Sequence, residues 1–142
     1  MKRLTAEHGI VCRLANERFG YFGWPSVART EDGALIVASS GLRTQHICPW
    51  GKTVLNVSLD EGRTWSWPRV INDSPIDDRD AGIISLGSQR LLVSWFTSDT
   101  RQYADENHAK SYDVEGWKLA ISTWTDEMVA RWLGSWVIMS ED

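Results

Sequence analysis

Ser58-Leu59-Asp60-Glu61-Gly62-Arg63-Thr64-Trp65 is the stretch that decides how this chain folds. Its pattern, Ser-x-Asp-x-Gly-x-Thr-Trp, is a turn with the chemistry written out. An Asp side chain accepts hydrogen bonds from backbone N–H groups two residues on, and Gly62 permits a positive φ. Thr64 and Trp65 start the returning strand. Trp65 is large enough to be buried between neighbouring sheets with its indole N–H on an acceptor. The alternating run Thr53-Val54-Leu55-Asn56-Val57 leads in, so the whole reads as a β-hairpin in which Asp60 braces the turn rather than a reaction.

Working outward, Trp24 to Arg29 reads as a strand, Glu31-Asp32-Gly33 as a turn, and Ala34 to Ser39 as a buried central strand. A longer connection, Ser40 to Lys52, carries Arg43, His46, Cys48, Pro49 and Trp50 before the hairpin, and Trp65 to Val70 supplies a fourth strand. Upstream, Ile10-Val11-Cys12 within Gly9 to Leu14 reads as a separate short strand, and Asn16 to Gly23 as loop. Four antiparallel strands in about 45 residues have the size and order of a propeller blade.

The order then begins again. Ala81 to Ser85, the turn Gly87-Ser88-Gln89 and Arg90 to Phe96 match the first two strands. The polar, acidic connection from Thr97 to Gly116 is longer than its counterpart. Trp117, Ile121, Trp124, Met128 and Trp132 follow at intervals of four, three, four and four, which predicts one helix from near Glu115 to Leu133, with the aromatic stripe as a packing surface. Ser135 to Met139 reads as a third strand. Ser140-Glu141-Asp142 repeats only the opening of the turn motif, so the sequence predicts a chain that stops inside its second blade. Unpaired strand edges then predict self-association through exposed blade edges.

Composition narrows the partners. The 142 residues carry a formal charge of −4 with both signs interspersed, which provides no cationic stripe for nucleic acid and no polybasic membrane patch. The start Met1-Lys2-Arg3 is followed by Glu7, His8, Arg13 and Glu17 rather than a signal-peptide core, and the expected compartment is the cytoplasm. Cys12 and Cys48 read as reduced and mostly buried thiols. No cofactor and no metal are expected: Asp77 to Asp80 lacks the calcium-loop pattern, and His46 with Cys48 offers two metal ligands where four are needed.

The turn motif, known as the Asp-box, its partial repeat, and Phe22-Gly23-Trp24-Pro25-Ser26-Val27 together resemble the sialidase (neuraminidase) superfamily from about Tyr21 onward. The resemblance implies a six-bladed β-propeller acting on glycans, of which this chain would be an N-terminal fragment. In that family a Phe-Arg-Ile-Pro motif opens the first blade, and its Arg binds the sugar carboxylate. Here the motif aligns with Phe22 to Pro25 and Gly23 stands at the Arg position. The family's Asp acid/base follows the second strand, yet no Asp or Glu lies between Asp32 and Asp60. Its Tyr nucleophile, the Glu partner and two further arginines belong to later blades.

Propeller geometry would bring the loop of Arg43 and His46 and the run Asp77-Asp78-Arg79-Asp80 to one neighbourhood near the axis. The expected catalytic residues are His46, with Asp78 or Asp80 orienting it or acting as the acid, since imidazole suits general acid–base work near neutrality. Arg43 and Arg79, with Trp24, are expected on the substrate, where guanidinium groups fork onto carboxylates or hydroxyls. The plain alternatives are a His46 that braces a turn and an Asp run that is a solvated loop paired with Arg79.

The sequence thus predicts an all-β, sialidase-like propeller fragment of about two four-stranded blades with a helical insertion in the second. Residues 1–23 form the N-terminal strand and lead-in, 24–72 the first blade and 73–142 the second. The expected function is a glycoside hydrolase acting on a glycan or small sugar. The alternatives are a non-catalytic carbohydrate- or protein-binding propeller and an inactive truncated remnant.

Overall fold

The structure is a computed structural model that describes residues 5–104 and 114–140. Two antiparallel sheets form its framework. The first has the order β1 (Tyr21–Arg29), β2 (Leu35–Arg43), β3 (Lys52–Ser58), β4 (Arg69–Asn72), and the second β5 (Asp77–Gly87), β6 (Arg90–Ser98), β7 (Ser135–Met139). Each strand pairs with its neighbour in sequence, so both sheets are plain meanders. Between β6 and β7 the described residues form a 3-10 turn, Arg101–Tyr103, and helices α1 (Val114–Ser122) and α2 (Asp126–Trp132).

The sheets meet over a core of Ala38, Ala81, Val93 and Trp95, with Leu55, Ile71, Ile83 and Trp136 packed around it. Small residues at Ala38 and Ala81 let β2 and β5 approach, and the indoles fill the remaining width. Across the same junction the Ser26 hydroxyl accepts the Ile83 N–H at 3.3 Å. A second cluster forms where Trp124 and Val129, backed by Ile121, Met128 and Trp132, close over Ile76 in the link from β4 to β5. The aromatic stripe is therefore packing surface. Among the described residues no helix is long and apolar enough to cross a membrane.

At the Ser58–Trp65 turn, Asp60 reaches four residues on rather than two. Its Oδ1 accepts the Thr64 N–H at 2.8 Å and its Oδ2 accepts the Thr64 hydroxyl at 2.7 Å. The Ser58 hydroxyl donates to Asp60 Oδ1 and accepts the Gly62 N–H, both at 2.8 Å. Gly62 has φ 83°, and Glu61 before it φ 61°. The half-buried Trp65 folds back onto its own turn, Nε1 donating to the Gly62 carbonyl at 3.1 Å, instead of wedging between sheets.

Four expectations are corrected. Gly9 to Leu14 forms no strand; the segment is irregular and only partly covered, Val11, Cys12 and Leu14 being half-buried, because no neighbouring strand edge takes up its backbone groups. The fourth strand starts at Arg69 rather than Trp65. The predicted helix is two: Thr125 takes an extended conformation (φ −80°, ψ 157°) and its side chain accepts the Met128 N–H, so the chain re-caps between α1 and α2. Asp126 and Glu127 are the acidic first turn of α2. Finally, Asp77 to Asp80 is no solvated loop but the start of β5, where Asp77 and Asp78 are wholly buried.

Candidate functional site

The first strand of each sheet carries the same device. Gly23 pairs with Ser40 and Ser26 with Ala38, so β1 holds one more residue than β2 over that interval. Arg79 pairs with Phe96 and Gly82 with Ser94, so β5 does the same against β6. The left-handed residues within these bulges are Trp24 (φ 52°) and Asp80 (φ 50°), at equivalent positions. A bulge re-aims a side chain, and a Trp held at positive φ is a costly conformation that surrounding contacts must hold in place.

Those contacts define the site. The Trp24 indole has the Arg79 guanidinium 4.9 Å and the Arg43 guanidinium 5.4 Å from its ring centre. The His46 ring meets it edge-on with centroids 4.8 Å apart, and Tyr21 lies at 6.3 Å on a tilt. His46 Nε2 is 3.5 Å from Arg79 Nη2. Trp24, Arg43, His46 and Arg79 are thus brought together.

The two arginines differ in what they have left to offer. Arg43 is wholly buried and its donors are spent: Nη1 on the Ser40 hydroxyl (2.7 Å) and the Asp78 carbonyl (2.9 Å), Nη2 on the His46 carbonyl and Asp77 Oδ2 (2.9 Å each), Nε on the Gln45 carbonyl (3.3 Å). Asp77 Oδ1 completes the ion pair 2.7 Å from Nη1. This arginine pins the loop after β2 to the start of β5 and has no donor for a substrate, which corrects its expected role. Arg79 is less fully engaged. Its Nη1 is 3.7 Å from Asp77 Oδ2, and its buried Nε has no hydrogen-bond partner.

The acids divide in the same way. Asp78 is not a partner for His46: its carboxylate accepts from Asn72 Nδ2 (2.8 Å), Ser74 N–H (3.0 Å) and the Ser74 hydroxyl (2.7 Å), which ties down the link from β4 to β5. Burial pushes its carboxyl up, against those hydrogen bonds. Asp80 is exposed at its bulge. Asp77, placed in this neighbourhood from the sequence but given no role there, sits between the two guanidinium groups; burial pushes its carboxyl up to about 6, opposed first by Arg43 and then by Arg79. The missed signal is strand alternation: residues two apart share a face, so Asp77 goes with Arg79 and away from Asp78. Among the described residues no cluster of three or more His, Cys, Asp or Glu could hold a metal ion.

No family model and no curated protein matches this chain. Among solved structures, the crystal structure of a protein of unknown function from Dyadobacter fermentans DSM 18053 matches with a TM-score of 0.58 and 23% identity, over 93% of this chain and 36% of that one. The likeness is one of fold. This chain spans little more than a third of that neighbour's length.

Proposed function

We propose that this chain is the sialidase-like propeller segment of a glycan-binding protein, and that it takes an acidic sugar on Trp24, His46 and Arg79. The observation that carries the reading is the state of Arg79. A guanidinium stacked on an indole, half-buried and tied to Asp77 by a loose ion pair of 3.7 Å, is the part of the site that a carboxylate or hydroxyl would complete. Two guanidinium groups share the single Asp77 carboxylate, which favours an anion there. Trp24 supplies the flat apolar face on which a sugar ring packs. The propeller architecture is supported by two consecutive meanders with matching bulges and by the Asp-box turn of the first.

The test is calorimetric titration of the chain with N-acetylneuraminic acid, glucuronic acid and glucose. The acidic sugars are expected to bind and glucose is not, and Arg79→Ala is expected to remove that binding while the fold is retained. Equal binding to the variant, or no preference for the acids, would overturn the reading.

A hydrolytic function has one observation in its favour, the exposed Asp80 on the same bulge register as Trp24. It predicts turnover of chromogenic glycosides that disappears in Asp80→Asn and in His46→Ala. Acidic-sugar binding without turnover leaves the binding reading alone standing.

A further inference from the structure

The second sheet repeats the first, with one face left bare. When the bulges at Trp24 and Asp80 are aligned, the cross-strand row Ser26, Ala38, Leu55 corresponds to the row Gly82, Ser94, Val137. The first row lies in the junction between the sheets: Ala38 and Leu55 are in the core, and the Ser26 hydroxyl takes the Ile83 N–H. The second row has nothing over it among the described residues. Ser94 is exposed although it sits midway along the central strand, and Ile84 (55%), Leu86, Val137 (67%) and Met139 on the same side are exposed with it. An apolar face of this kind, left to water on the inner strand as well as the edges, marks an interaction surface.

That face also lacks charge. Across Gly82 to Gly87, Arg90 to Ser98 and Ser135 to Met139 the single charged residue is Arg90, at the corner where β5 turns into β6. A chain with a formal charge of −4 repels its own copy over most of its surface, whereas two uncharged faces meet without stranding a charge. A head-to-tail contact that repeated the junction between the sheets would need the opposite face of the first sheet. That face is taken: Val37, Val54 and Asn56 are buried there, and Gly9 to Cys12 close over it. We infer that two copies of this chain pair through the outer face of the second sheet, around a twofold axis beside Ser94. Sheet packs on sheet, the same patch serves both copies, and the assembly closes at a dimer. None of the residues of the proposed sugar site takes part.

The experiment is sedimentation velocity on the full chain from about 1 to 200 µM. A monomer is expected to pass into a dimer as concentration rises, with nothing larger. Ser94→Glu and Ser94→Lys are each expected to weaken the dimer at least about tenfold with circular dichroism unchanged, because each sets like charges together at the axis. Mixed in equal amounts, the two variants are expected to pair again, which requires that the same patch meet itself. Should a Ser94 variant fail to fold, Val137→Lys, at an exposed position of the edge strand, is expected to lose the dimer in its place. Leu119→Lys, comparably exposed on α1, is expected to keep it. A monomer at every concentration would overturn the inference and leave the face to a partner of another kind. A dimer that survives the Ser94 and Val137 substitutions or is lost in Leu119→Lys, a mixture that stays monomeric, or assemblies larger than a dimer would overturn it as well.

Discussion

Arg43 Nη1 lies 2.7 Å from Asp77 Oδ1 with both side chains wholly buried, so one ion pair fastens the loop after the second strand to the first strand of the next sheet. Removing one partner of such a pair leaves a buried charge without compensation, which costs about 3–5 kcal/mol. Arg43→Met and Asp77→Asn are each expected to lower the unfolding free energy by that order, read as a lower urea midpoint. The joint Arg43→Met, Asp77→Leu variant is expected to recover part of the loss, because the wholly buried charge is then gone and only the less buried Arg79 lacks its carboxylate. Unchanged midpoints in the single variants would return Arg43 to the role of a ligand-binding residue.

Gly51 is the floor under that pair. A Cβ placed there would lie 2.0 Å from Arg43 Nη1 and 2.2 Å from Asp77 Oδ1, so the requirement is for space rather than backbone freedom. The Gly51 carbonyl also accepts the Asp78 N–H at 3.1 Å. Gly51→Ala therefore has to displace the ion pair or the strand, with an expected loss of about 2–4 kcal/mol in denaturant unfolding. A variant as stable as the wild type would mean that Arg43 and Asp77 separate freely.

Period-two patterns and turn residues made the sheets legible in the sequence. Val37, Leu55 and Val93 fell in strands because alternation and Gly-containing turns are local signals. The site was half legible. Trp24, His46 and Arg79 do lie together, but the Asp run was read as loop by its charge, since a buried carboxylate in a strand is recognisable only once its arginine partner is placed across the sheets. Bulges escaped for a related reason: one extra residue in a strand is defined against its neighbour's register, as at Gly23 and Ser26 facing Ser40 and Ala38.

Thr125 ends a stripe that looked continuous. The spacing of Trp117, Ile121, Trp124, Met128 and Trp132 stays near the helical period across the break, so periodicity alone could not reveal it, whereas Thr125 before Asp126 and Glu127 is a start signal. Its hydroxyl accepts the Met128 N–H at 3.1 Å. Thr125→Ala is expected to cost about 1 kcal/mol by thermal unfolding, and Thr125→Ser to restore most of it. An Ala variant that gains stability would indicate that one continuous helix is preferred.

Asp60 contributes to the acid limb of stability. Hydrogen bonds from the Thr64 hydroxyl, the Thr64 N–H and the Ser58 hydroxyl hold its carboxyl down to about 2. A carboxyl depressed in the folded state adds stability above its unfolded value of about 4, and that contribution is lost as pH falls through the folded value. Asp77 has the opposite sign: its raised carboxyl makes stability fall as pH rises from about 4 to about 6. The two windows do not overlap, so they can be separated in one titration. Thermal midpoints followed from pH 5 down to pH 2 should drop less steeply in Asp60→Asn than in the wild type, from a lower starting point, because the amide keeps an acceptor for Thr64 but has no charge to lose. The same slope below pH 4 in both proteins would mean that other carboxylates, not this turn, govern acid unfolding.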